Sequence, residues 1–231
     1  MNNVTLIEHT PNPERTVALA ARLCYSPSSI NDLREKLATS DIETFLDKIM
    51  SLGHHSVLEH ASFTFGIEGI SRVTSHQLVR HRIASFSQQS QRYVSHKEEF
   101  TSIMPDTIAG NPEACQIFAF MSETVHKAYA QLVEMGIPAE DARYILPNAT
   151  ETKIIMTMNA RELLHFFALR CCQRAQWEIR QMSIEMLRLV RQVAPVIFRE
   201  AGPGCVGGPC PEGKFCCGQT QEVRDFYKNL E

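Results

Sequence analysis

The densest concentration of ligand-binding chemistry in the chain starts at Arg80-His81-Arg82. It continues through the hydroxyls and amides of Ser85, Ser87, Gln88, Gln89, Ser90 and Gln91, and Arg92 closes it. A guanidinium fork pairs with phosphate through two parallel N–H bonds, and more specifically than a lysine point charge does. Hydroxyls and carboxamides both donate and accept, which suits the mixed edges of a base or a sugar. The chain has neither a G-x-G-x-x-G nor a G-x-x-x-x-G-K-[ST] loop, so an anionic ligand has no glycine-rich cradle and must be held by arginines. Successive helical residues point about 100° apart, so Arg80, His81 and Arg82 cannot share a helical face. Such a triplet suits the end of a helix, where it can fan around an extended ligand.

The elements that must position this stretch are mostly helical. VTLIEH (4–9) alternates as a short strand. Thr10 and Pro11 look like a cap and first helical residue, leading to about Cys24. A second helix follows Ser40, with Asp41 at its start, Gly53 as its stop, and Ile42, Phe45, Leu46, Ile49 and Leu52 as one apolar stripe. ASFTFGI (61–67) is the clearest strand. Residues 71–82 are predicted helical, and 85–95 a loop with a short strand. Residues 111–136 form a long amphipathic helix capped by Asn111, and 138–146 a short one. KIIMTMN (153–159) is another strand. Helices follow over 160–172 and 176–193, the second ended by Pro195. The sum is a helix-rich α+β single domain with a small, mainly antiparallel sheet. Residues 1–201 carry the chemistry, and 202–231 form a Cys/Gly/Pro-rich tail with a short terminal helix from Thr220.

Composition narrows the classes. The chain has 231 residues, with 23 Lys or Arg against 26 Asp or Glu, so its net charge is −3. A mildly acidic chain lacks the basic field that nonspecific nucleic-acid binding requires. No window approaches 18 apolar residues, and the N-terminus lacks a basic segment followed by an apolar run. Neither a membrane span nor a signal peptide is therefore expected. Eight cysteines without a secretory signal are expected as reduced thiols in the cytoplasm.

Arg-His-Arg, seven residues, then Ser90 resembles the signature of the flavin-dependent thymidylate synthases, without a gap. The similarity extends to HTPNPE (9–14), ARLCYS (21–26), Gly53-His54, Glu59-His60, Gln77, Ala142-Arg143 with Pro147, Asn159-Ala160-Arg161 and Arg170. The resemblance implies reductive methylation of deoxyuridine monophosphate (dUMP) to dTMP. FAD reduced by NADPH would supply the hydride, and 5,10-methylenetetrahydrofolate the carbon. By position, Ser56, Arg80, His81, Arg82, Gln88, Asn159, Arg161 and His165 fall where the family binds FAD, and His54 where a histidine lies near the flavin. Gln77, Arg80, Gln88, Ser90, Gln91, Arg92, Arg143 and Arg170 fall where it binds the nucleotide. Gln88 stands where some members have an acid, and His165 where others have Asn.

The family resemblance places Arg170 against the pyrimidine, where a guanidinium favours the ring deprotonated at N3 and makes carbon 5 electron-rich. Lowering that pKa by ~2 units takes about 3 kcal/mol, within reach of one partly desolvated cation. Ser90 fits a substrate hydrogen-bonder better than a nucleophile, since no base is recognisable beside it. Arg161 and His165 lie ~40° apart on their helix and Arg170 ~180° from Arg161. One helix would thus serve both the flavin and the pyrimidine pocket. The resemblance implies homotetramers whose sites are shared between subunits.

Other clusters invite different readings. His54-His55-Ser-Val-Leu-Glu59-His60 lacks the H-E-x-x-H or H-x-x-E-H spacing of zinc helices, and no metal is expected there. Cys205, Cys210, Cys216 and Cys217 leave metal, disulfide and reduced thiols all open, because their spacing is not the paired C-x-x-C of structural zinc. Cys171 and Cys172 read as core residues, and the Met-rich helix 177–193 as core or subunit contact. Two rival functions remain: a nucleotide-binding regulatory protein without turnover, and a zinc-stabilised nucleic-acid module built on the cysteine tail.

Overall fold

The structure, a computed structural model, describes residues 3–94 and 101–230. It is helix-rich α+β with one four-stranded antiparallel sheet among the described residues, ordered β1 (Asn3–His9), β2 (Ser62–Ser71), β4 (Glu151–Asn159), β3 (Ala84–Gln88). The chain forms two compact units. One comprises mainly Ile67–Arg80 and Phe86–Ile155, and the other Val4–Gly66, His81–Ser85 and Met156–Glu231. Strands β2 and β4 each run from one unit into the other.

In the second unit, α1 (Pro13–Leu23) packs against α2 (Ile30–Ala38) and α3 (Ile42–Ser51). Its cap is Asn12 rather than Thr10, with φ 48° in the left-handed region that asparagine tolerates, and Pro13 takes the first helical position. Asp41 accepts the Thr44 N–H to start α3, as its position in the sequence suggests. Gly53, with φ 73°, stops that helix where a side chain would be strained. A 3-10 stretch, His55–His60, leads into β2. At the far end, α8 (Ala160–Arg170) packs against α9 (Trp177–Val193), and the short α10 (Pro195–Phe198) against both α9 and α3. Phe198 meets Phe63 edge-on at 5.4 Å and Phe167 at 6.0 Å, which ties β2, α8 and α10 into one aromatic core. Met182 and Met186 of α9 are fully buried, as the core reading requires. Cys171 is core, but Cys172 is only half-buried.

The tail folds onto this core. Arg191 of α9 donates to the carbonyls of Phe198, Arg199, Ala201, Tyr227 and Leu230. Tyr227 of α11 (Thr220–Lys228) donates its hydroxyl to the Cys171 carbonyl at 2.8 Å, one residue past α8. Burial holds the Cys171 thiol up at about 12, so it stays protonated.

The other unit holds α4 (Arg72–Leu78), the short α5 (Asp106–Ala109), the long α6 (Pro112–Glu134) and α7 (Ala139–Ala142), the last continued by a 3-10 turn, Arg143–Ile145. Asn111 caps α6 by accepting the Glu113 and Ala114 N–H groups. Tyr129 is its one buried residue, while Ile117 and Phe120 are each 66% exposed and Met121 50%. The helix expected over 71–82 ends at Leu78. Beyond it Arg80 closes a turn and His81 and Arg82 are irregular chain, with Arg80 and Arg82 exposed and His81 buried, so the triplet lies just past the end of the helix. The last residue of the loop expected over 85–95 lies outside the described residues.

Candidate active site

Asn159 caps α8, its Oδ1 accepting the Glu162 N–H at 2.9 Å. The cap fixes Glu162 in the first helical turn, only 8% exposed. Glu162, Phe166 and Arg170 then follow at i, i+4 and i+8 along one side of the helix, and His81 lies across that stripe. Its ring stands edge-on to Phe166 at 4.9 Å. Its Nδ1 is 3.3 Å from Glu162 Oε1, and its Nε2 is 3.0 Å from Arg170 Nε. A guanidinium only donates, so Nε2 must be the acceptor and Nδ1 carries the proton it donates to Glu162. Burial, above all, holds the His81 pKa below the usual imidazole value. The Arg170 charge adds to that and Glu162 opposes it. The ring is therefore a neutral imidazole with one enforced tautomer.

His165 completes this corner, its ring 6.1 Å from that of His81. With Asn159, Arg161, Glu162, Glu59 and Ile83 it lines a cleft of about 410 Å³. Arg161 pairs with Glu59, both half exposed. Arg161 also lines a second cleft of about 400 Å³, with Tyr25, His54 and Ser56. There Tyr25 stacks on His54 at 6.1 Å, its hydroxyl 3.0 Å from Nδ1.

The residues expected to bind the nucleotide, Arg170 apart, belong to the first unit. Arg92 forms an ion pair with Glu140 at 2.8 Å, and Arg143 Nε donates to the Glu140 carbonyl. The Ser90 hydroxyl accepts the Arg92 N–H at 3.2 Å in a local turn, and Gln88 donates to Thr152. Gln77 sits on α4, Arg80 just beyond it and Gln91 beside Ser90. Among the described residues no basic side chain hydrogen-bonds the Ser90 hydroxyl. Arg72, missed from sequence, donates to the Gln89 carbonyl beneath this turn. Its pKa is held down by burial and by the neighbouring Arg143 charge.

The structure thus gathers Asn159, Arg161 and His165 at a cleft along α8, joins His81 to Arg170 at that helix's C-terminal end, and places His54 and Ser56 at a cleft that shares Arg161. Helical angles alone put Arg170 far from His165, but His81 spans that gap. The ligand atoms of His81, Glu162 and His165 lie within 4.8 Å of one another. Both His81 nitrogens are already bonded, one of them to a cation, so the cluster is a hydrogen-bond relay rather than a metal cage. Sequence reasoning missed Glu162, because Asn159-x-x-Glu162 reads as helix capping. The 162/166/170 spacing was the signal that could have found it.

A sequence model of the family described as thymidylate synthase complementing protein matches residues 5–196. A flavin-dependent thymidylate synthase of Geobacter sulfurreducens is 62% identical over 228 residues, covering 98% of both chains. Those of Clostridium tetani and Pyrococcus horikoshii are 48% and 44% identical, over 97% and 100% of this chain and 96% and 98% of theirs. The chain belongs to the flavin-dependent thymidylate synthase family.

Family membership raises the question of whether these residues suit a flavin dinucleotide. In the second unit Arg82 and Arg161 are exposed cations, and His165 and Asn159 border the cleft that Arg161 lines. The paired Tyr25–His54 rings offer a flat face at the adjoining cleft. Guanidinium groups beside a polar cleft, with planar rings next to it, fit a ligand that carries a pyrophosphate and a flat ring system.

Proposed function

We propose that the chain is a flavin-dependent thymidylate synthase that converts dUMP to dTMP, with 5,10-methylenetetrahydrofolate as carbon donor and NADPH as reductant. The observation that carries this reading is the fixed guanidinium of Arg170, held at Nε by a histidine of single tautomer. FAD, when bound, supplies the hydride that completes the methyl group. His54, Ser56, Arg80, His81, Arg82, Gln88, Asn159, Arg161 and His165 make up its binding set. The arginines neutralise its pyrophosphate, and Arg161 exchanges the half-exposed Glu59 for it at little cost, because such surface pairs are weak. Gln77, Arg80, Gln88, Ser90, Gln91, Arg92 and Arg143 bind dUMP, the arginines its phosphate and the amides and hydroxyl its base and sugar.

Arg170 faces the pyrimidine and stabilises negative charge on it, which raises electron density at carbon 5 without an attacking side chain. A preorganised donor of this kind needs no reorganisation as charge develops. Ser90 holds substrate and does not attack it. Homotetramer formation is part of the same reading, supported by the apolar face of α6 at Ile117, Phe120 and Met121. Among the described residues no helix is long and apolar enough to cross a membrane, and a cytoplasmic location belongs to the proposal.

The test is the purified protein itself. Flavin absorption peaks, with dTMP formed from dUMP, methylenetetrahydrofolate and NADPH, support it. A colourless protein that makes no dTMP overturns it.

A further inference from the structure

The geometry points to Glu162 as a positioning residue for the methylation step, acting through His81 to hold the Arg170 guanidinium in its working orientation. This rests on the proposed role of Arg170, and its test is built to fail separately from that role.

Three observations converge. Glu162 is buried, yet its carboxylate meets the only ring nitrogen of His81 that can carry a proton there. The other ring nitrogen takes the Arg170 Nε–H. Phe166 packs on the ring between these two bonds, so the imidazole cannot flip without losing both. Remove the carboxylate, and His81 is free to place its proton on Nε2. That proton would point at the Arg170 Nε–H, donor against donor, and the guanidinium would swing away. A buried carboxylate that accepts from one ring nitrogen holds the proton there, and losing a hydrogen bond to a charged group costs roughly 10–100-fold in affinity. A structural role for Glu162 is distinguishable, because the Asn159 cap bonds its backbone N–H and survives side-chain replacement.

The experiment measures dUMP affinity of the flavin-loaded enzyme by titration for wild type, Glu162→Ala, Arg170→Ala and the double variant, with flavin content and Tm recorded for each. Expected are a loss of about tenfold or more for Glu162→Ala in the wild-type background and no further loss in the Arg170→Ala background. Additive losses, or no loss from Glu162→Ala alone, overturn the inference and leave the role of Arg170 standing. An Arg170→Ala enzyme with normal affinity and turnover overturns both. Glu162→Gln keeps an oxygen that accepts from Nδ1 and should retain affinity within about threefold. It also serves if the alanine variant does not fold. A glutamine variant with normal flavin content that binds dUMP as weakly as alanine removes the hydrogen bond as the cause and overturns the inference as well.

Discussion

Arg170 donates its Nε–H to Nε2 of His81 at 3.0 Å, a bond that requires the proton on Nδ1, where the Glu162 carboxylate accepts it. Protonating the ring would set N–H against N–H and break the link. The groups facing His81 are Glu162, Arg170 and His165. Burial and Arg170 hold its pKa below 6.5, with His165 adding to them and Glu162 opposing. Turnover should therefore fall as pH drops below the usual imidazole range, with the acidic limb of kcat/KM for dUMP set by this ring. The sign for stability is the same. A folded pKa below the unfolded value gives a contribution fully present above 6.5 and lost as pH falls toward the lowered value. An acidic limb of kcat/KM with an apparent pKa at or above the usual imidazole value would contradict the relay.

Ser90→Ala should retain measurable methylation, and no single Cys→Ala change should abolish it by removing a catalytic thiol. The Ser90 hydroxyl accepts a local backbone N–H. An unactivated serine is a weak nucleophile. Mass spectrometry of enzyme quenched during turnover checks this, and a covalent uracil adduct on either residue type would refute it.

Mixing two inactive variants, Arg80→Ala and Arg170→Ala, under conditions that exchange subunits should restore part of the activity if sites are shared between chains. The exposed Ile117, Phe120 and Met121 of α6 give the chain a face to associate through. A mixture that exchanges subunits yet stays dead, or a monomeric mass in solution, argues against sharing.

Arg191→Ala should loosen the tail, because one guanidinium serves five carbonyls across 198–230. Losing several such bonds, each about 0.5–1.5 kcal/mol, predicts a stability loss of about 3 kcal/mol. At this chain length that is roughly 6–12 °C in Tm. Calorimetry, with proteolysis of the tail as a second readout, checks it. An unchanged Tm would show that the clamp contributes little.

Local chemistry made much of the fold legible. Asp41 and Asn111 announced α3 and α6 because a side-chain oxygen facing the first N–H groups is a short-range signal. The helix α2 went unseen because its stripe is only Leu33 and Leu37, behind a Pro- and Ser-rich approach, although Ser29 caps it by accepting the Asp32 N–H. The end of α4 at Leu78 was not readable either. Its cause is tertiary, since His81 is buried against Phe166, Glu162 and Arg170, residues 81–89 positions away. The same holds for the site. The arginines declare themselves by type and spacing, whereas Glu162 looks like an ordinary first-turn acid until His81 lies over it.

The most direct measurement is dTMP formation by Arg170→Ala with its flavin content monitored. Thymidylate formation should be lost while the flavin spectrum persists, as the proposed role of this arginine at the pyrimidine requires. Arg170→Lys should rescue poorly, since a point charge cannot reproduce the fork whose Nε is held by His81. An alanine variant that keeps its flavin and turns over near the wild-type rate would contradict the account.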